Sequence, residues 1–176
     1  MESDMTPVTK DEIHQATLSW LSERGMELGR IAELVFYLQK DFHEHLTLEE
    51  CKHHVEQVLT KREVQNAILT GIQLDVLAEK GRLEEPLLDM LRRDESLYGI
   101  DEILATSILN VYGSIGMTNY GFVDRVKPGI LKDLNDHTGG RIHTFLDDLA
   151  GAVASAAAAR LTHHRKRRLE TDRKDS

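Results

Sequence analysis

Thr60-Lys61-Arg62-Glu63-Val64-Gln65-Asn66-Ala67-Ile68-Leu69-Thr70-Gly71-Ile72-Gln73-Leu74-Asp75-Val76-Leu77-Ala78-Glu79-Lys80-Gly81 is the stretch that decides the fold. Thr60 with Glu63 three residues on reads as a capping box that opens a helix. Val64, Ala67, Ile68 and Gly71 then recur at helical spacing on one face, and Leu69, Ile72 and Val76 on another. A helix that is apolar on more than one face belongs at the centre of a bundle. Gly81 ends it.

The same period runs outward in both directions. Ile13, Ala16, Trp20 and Leu21 predict a helix over 11–24, and Ile31, Leu34, Val35 and Leu38 predict one over 27–40. Thr47-Leu48-Glu49-Glu50 is a further capping box, opening a helix that turns Leu48, Cys51, Val55 and Val58 inward. A short helix follows Pro86, one opened by Asp101-Glu102 runs to about 113, another covers 128–136, and the last covers 145–168. Gly113, Gly116 and Gly121 predict a loop holding Thr118, Asn119 and Tyr120. No strand alternation of useful length occurs. The expected fold is therefore all-α, a single multihelical bundle over 9–165, with a disordered N-terminus over 1–8 and a basic, polar tail over 166–176.

Composition agrees. The chain has 176 residues, enough for one domain with its own core. Only 3 Pro and 5% aromatic residues argue against an all-β fold. The single Cys51 excludes an internal disulfide, fits a reducing cytoplasm and lies on an apolar stripe, so it reads as a core residue. The polar, acidic start Met1-Glu2-Ser3-Asp4 is no signal peptide. The most apolar stretches, 103–117 and 149–159, are too short or too polar for the roughly 20 residues that a spanning helix needs. The expected location is cytoplasmic, with peripheral contact at the inner membrane surface.

The formal charge of −8 is uneven: residues 160–176 carry a net +4, which leaves −12 on the rest. An acidic body argues against nucleic acid as a partner. The basic cluster of Arg160 and Arg165 to Arg168 can touch anionic lipid, or can simply be a solvated helix end.

Two acidic pairs interrupt apolar helical stretches: Asp101-Glu102 in Gly99-Ile100-Asp101-Glu102-Ile103-Leu104, and Asp147-Asp148 in Thr144-Phe145-Leu146-Asp147-Asp148-Leu149. Converging, they form a hard oxygen set of the kind that Mg2+ or Ca2+ takes. Taken separately, they are ordinary first-turn acids at helix N-termini, with Thr144 as an N-cap for the second. Asp75 shares the stripe of Val64, Ile68 and Gly71, so it faces the core. There it needs a partner, either a metal as a further ligand or a structural cation.

Between the pairs lie Asp124-Arg125-Val126-Lys127-Pro128 and Gly139-Gly140. The order of acidic pair, Asp-x-x-Lys-Pro, Gly-Gly and Asp-Asp resembles the phosphatidylglycerophosphatase A family over residues 97–160. The family's membrane-bound members carry transmembrane helices and an N-terminal Gly-rich segment. This chain shows neither and resembles a soluble branch.

The resemblance implies a metal-dependent phosphatase that converts phosphatidylglycerophosphate, or a related phosphomonoester, to phosphatidylglycerol or the corresponding alcohol. Asp101, Glu102, Asp147 and Asp148 match the elements that would hold Mg2+, with Ca2+ or Mn2+ as alternatives. Asp124 would be a further ligand or the acid/base, and Lys127 would meet the phosphate. The alternative is a non-catalytic, metal-binding or self-associating helical protein, the small residues of the last helix offering a surface for a homo-oligomer. His143 can orient a carboxylate or act as an acid/base near neutral pH, or serve as a capping or core histidine. Arg62 and Arg141 can bind phosphate or form surface pairs.

Overall fold

The computed structural model describes residues 7–135 and 139–174. Residues 1–6 of the expected disordered segment, Asp136 of the expected 128–136 helix and residues 175–176 of the tail lie outside them. Within the described residues the protein is all-α: α1 (Lys10–Glu23), α2 (Leu28–Gln39), α3 (Leu48–Leu59), α4 (Arg62–Glu79), α5 (Leu87–Arg92), α6 (Ile100–Leu109), α7 (Ser114–Val126), α8 (Ile130–Leu134) and α9 (Leu146–Asp172).

The axis of the bundle is α9, not α4. Every residue of α9 from Leu146 to Ala159 is buried, with α2, α3, α4, α6, α7 and α8 packed around it. Alanine and glycine make this arrangement possible, because small side chains let neighbours approach from all sides. The small residues expected to admit a close partner thus do so within the chain and offer no surface to a second copy. By contrast α4 exposes Asn66, Thr70 and Gln73 at helical spacing and forms part of the surrounding layer. It meets α9 closely at Gly71, where an added Cβ would lie 2.5 Å from Leu149 Cδ1 and 2.9 Å from Phe145 Cβ.

The loop expected around residues 114–121 is the helix α7. Gly116, Tyr120 and Val123 are its buried stripe, at helical spacing, against α9. Two interior glycines cost about 0.5–1 kcal/mol each relative to alanine, and burial of that stripe outweighs them. Caps also differ. The full capping box belongs to Thr9 and Glu12 of α1, whose reciprocal bonds both form. Thr47 caps α3 through the Glu50 N–H, while Leu48 is largely exposed. Thr60 instead donates to Gln57 O, closing α3 rather than opening α4.

Among the described residues no helix is long and apolar enough to cross a membrane. The expected 166–176 tail continues α9 as helix to Asp172. Two of its approach cations are used within the fold: Arg160 Nη1 bonds His54 Nδ1, and Arg165 bonds both Glu50 oxygens and Glu44 O.

Candidate active site

Three helices bring the acidic elements together. The first turn of α9 supplies Asp147 and Asp148, both buried, the start of α6 supplies Asp101, and the end of α7 supplies Asp124 and Lys127. Lys127 closes α7 in the left-handed conformation, φ 47° and ψ 53°, which turns its stem back over the helix. Its Nζ lies 2.7 Å from Asp124 Oδ1, 3.1 Å from Asp147 Oδ2 and 3.8 Å from Asp148 Oδ1. Asp101 comes within hydrogen-bonding reach of Asp148. Glu102, one helical step on, is exposed on the adjoining face. Consecutive helical residues diverge by about 100°, so only one member of this pair points inward, whereas both members of the second do.

Thr144 is not the cap of α9. Its hydroxyl donates to Leu91 O at 2.7 Å. The cap is Asp75, fully buried on α4, whose carboxylate accepts from Phe145 N at 3.1 Å and Leu146 N at 3.1 Å. Burial pushes the Asp75 carboxyl up to about 8 against these donors. Asp75 therefore sits beneath the site and fixes the helix start, outside the Lys127 cluster.

A second fixing point lies just upstream. Arg24 grips Glu79 with two nitrogens and donates to Ile142 O, while Glu79 Oε1 accepts from Ile142 N at 2.7 Å. Burial raises the Glu79 carboxyl, but Arg24 and the Ile142 N–H outweigh it and hold it below the ordinary range. His143 is buried with Nδ1 3.3 Å from Arg24 Nη2, a positioning contact rather than part of the acid cluster. Cys51 is a core residue as expected, its thiol pushed up by burial to about 11. Arg141 donates to Glu23 O, and Arg62 lies at the start of α4, remote in sequence from the cluster.

Two residues of the site carry no signal at the level of motif. Asp94 follows α5 at φ 49°, and its charge is felt at both Asp101 and Asp147. Tyr120, 9% exposed, buries its hydroxyl beside Asp148 and Asp124, within hydrogen-bonding reach of Asp148. Burial and those carboxylates push the phenol up.

The cluster holds more negative charge than Lys127 cancels. Burial, and then the neighbouring Asp147 charge, push Asp148 up to about 9, with Lys127 opposing. Burial raises Asp147 and Asp101 as well. Among the described residues no three acid, histidine or cysteine side chains converge as they stand at metal-ligand distance, and Lys127 Nζ fills the middle. The donor chemistry fits a hard dication: carboxylate oxygens only, desolvated, and in excess of Lys127, the cation among them.

The phosphatidylglycerophosphatase A family matches residues 17–163, nearly the whole described bundle. The chain belongs to this family. Its relatives include the uncharacterized protein YutG of Bacillus subtilis, 64% identical over 143 residues, 81% of this chain and 86% of that protein. The low temperature requirement C protein of Listeria monocytogenes has the same fold, with a TM-score of 0.87 at 59% identity over 90% of this chain and 99% of that one. A protein of unknown function from Bacillus stearothermophilus superposes with a TM-score of 0.84 at 62% identity, covering 86% of this chain and 94% of that one. The family resemblance read from the acidic pairs, Asp-x-x-Lys-Pro and Gly-Gly thus extends well beyond residues 97–160.

Proposed function

We propose that the protein is a divalent-metal-dependent phosphatase acting on a phosphate monoester, phosphatidylglycerophosphate being the substrate that family membership suggests. The observation that carries this reading is the placement of Lys127 among Asp124, Asp147 and Asp148, with Asp101 beside them. Asp101, Asp147 and Asp148 would hold Mg2+, with Mn2+ or Ca2+ as substitutes. A bound dication supplies Lewis-acid neutralisation of the phosphoryl oxygens.

The chain's own residues do the rest. Lys127, released from part of its carboxylate contact, meets a phosphoryl oxygen as a point charge. Asp124, half-exposed at the mouth, orients water and accepts its proton as the water oxygen bonds phosphorus. The ester P–O bond breaks, and that proton passes to the departing alkoxide. Asp75 and the Arg24–Glu79 pair hold the start of α9, so the aspartates need little rearrangement on binding.

Lipid access bears on which face meets a bilayer. At about 1.5 Å per residue, Arg165 lies about 27 Å along α9 from Asp147. A membrane touched only by the basic end would sit that far from the acids. Leu97 and Ile103, 89% and 65% exposed, flank Asp101 and are the better face for a lipid substrate.

The test is phosphate release by the purified full-length protein. Release in Mg2+ that is abolished by EDTA and by Asp147→Asn supports the reading. Metal-independent release, or full activity in both Asp101→Asn and Asp147→Asn, overturns it.

A further inference from the structure

Beside the acid cluster lies a cleft of about 400 Å³ whose walls include Leu91, Arg92, Gly140, Arg141, Ile142 and Thr144. We propose that this cleft is an anion subsite that holds a second phosphate of the substrate while the first is hydrolysed. The proposal rests on the phosphatase reading for its catalytic half and on the cleft alone for its binding half.

Charge comes first. Glu79 also lines the cleft, but its carboxylate is neutralised by Arg24 and spent on Ile142 N. Arg92 uses Nε on Ala78 O at 3.2 Å, and Arg141 uses Nη1 on Glu23 O at 3.2 Å. Among the described residues neither forms an ion pair with an acid. Each guanidinium has five N–H donors, so among the described residues most of them stay unspent, and the cleft is net positive within the part of the chain, residues 1–159, that carries a net −12. The carbonyls that hold the two arginines end α4 and α1, so helix C-termini aim both stems.

Position comes second. The two segments that wall the cleft are the same two that continue into the acid cluster. Leu91-Arg92 leads to Asp94, and Ile142 to Thr144 leads to Asp147. The Thr144 hydroxyl on Leu91 O, at 2.7 Å, ties these walls together at their junction. Three residues of chain span at most about 10 Å, so the cationic cleft and the carboxylates are neighbours. A short polyol linking two phosphates would have to span from one to the other.

The chemistry selects the ligand class. A dication and Lys127 would take the phosphomonoester, and the arginines, bidentate donors, would take a phosphodiester or second phosphate. Two sources share that chemistry: a phospholipid headgroup, and a free bis-phosphorylated polyol. A larger cleft, between the 42–50 region and the end of α9, is a poorer anion site because Glu44, Glu50 and Asp172 offset Arg165, Lys166 and Arg168.

Calorimetric titration of the full-length protein with glycerol 3-phosphate in EDTA reads the cleft without turnover. Wild type should bind, and Arg92→Gln/Arg141→Gln should weaken binding by about tenfold or more. Arg92→Lys/Arg141→Lys, which keeps the charge, should recover part of it, and thermal melts establish that each variant is folded. Asp147→Asn should not weaken it. No binding by wild type up to about 10 mM, or equal binding by the folded Gln variant, overturns the subsite.

Turnover then separates the two proposals. The Gln variant should lose about tenfold more kcat/KM on deacylated phosphatidylglycerophosphate than on p-nitrophenyl phosphate, which has no second anion. Equal losses on both overturn the subsite. A wild type that binds through the arginines yet releases phosphate from neither ester keeps the subsite and overturns the phosphatase reading. The intact lipid in detergent micelles, run beside its deacylated headgroup, distinguishes the sources. A preference for the lipid points to a membrane headgroup, and parity to a soluble bis-phosphate.

Discussion

The two halves of α9 are one continuous helix with opposite chemistry. The first, Leu146 to Ala159, is enclosed on all sides and places two aspartates in the interior. The second, beyond Leu161, has a wet face of arginine, lysine and histidine and grips the α2–α3 turn through Arg165. Buried charge in the first half is compensated only in part, by Lys127, while charge in the second is paired or solvated. Function concentrates where compensation is incomplete, because a site that already neutralises itself has nothing left to offer a ligand.

The sharpest way to break this contrast is to remove charge at each end. Asp147→Asn should cut phosphate release by about 10²–10³-fold, the scale typical of losing one preorganised electrostatic group. Arg165→Ala, at the other end, should leave kcat within about twofold, since its pair with Glu50 is near the surface. A steady-state assay of both variants checks this, and comparable losses would dissolve the distinction.

Packing gives the next largest effect. Gly71→Ala forces a Cβ against Phe145 and Leu149 and should destabilise the protein by about 1–3 kcal/mol. Gly151→Ala meets its nearest neighbour, Val123 Cγ2, at 3.5 Å, an ordinary contact. It should be neutral or stabilising by up to about 1 kcal/mol from helix propensity. Urea melts of the two variants, compared at fixed pH, test whether α9 is tight only where α4 crosses it.

The ends should also respond to pH with opposite sign. His54, buried against Arg160, has its imidazole lowered by burial to about 4, so the native state resists a proton that the unfolded chain takes near 6.5. Its stabilisation is present above pH 6.5 and is lost as pH falls toward 4, by about 1–2 kcal/mol. Asp148 runs the other way. Raised to about 9, it favours the folded state below the unfolded carboxylate range, and that contribution is lost as pH rises toward 9. Melts in EDTA across this range should therefore flatten on the acid side in His54→Gln and on the alkaline side in Asp148→Asn. The smallest expected effect is that of salt on Arg165–Glu50, under about 1 kcal/mol between low and high ionic strength.

Much of this was legible in the residues, for identifiable reasons. The i, i+3, i+4, i+7 run of Ile31, Leu34, Val35 and Leu38 marks α2 unambiguously, and the stripe through Gly71 placed Asp75 in the core. The acidic pairs stood out because carboxylates inside apolar helices are costly, and Lys127 because it completes the Asp-x-x-Lys-Pro element of the family resemblance. The rest depended on distant partners. Alanine is too weakly apolar for periodicity to reveal that α9 is the axis. Glycines hid α7, whose true signal was the spacing of Gly116, Tyr120 and Val123. Thr144 lost its capping role to Asp75, a residue 70 positions away in the Phe145 contact. Asp94 announces itself only through a left-handed backbone after α5, and no local pattern joins Arg24 to Glu79.

The unbroken run of α9 also constrains how this chain can change length. One residue inserted between Leu149 and Leu161 would rotate everything after it by about 100° and advance it by about 1.5 Å. Asp147 would still face Lys127, but Arg160 and Arg165 would swing away from His54 and Glu50, and alanines would be replaced in their slots by their neighbours. The helix behaves as a keyed shaft, whose two sets of teeth must mesh in one register. Length variation among functional descendants of this sequence should therefore fall in the connections between helices, around residues 41–47, 80–86 and 93–99, and not in the shaft.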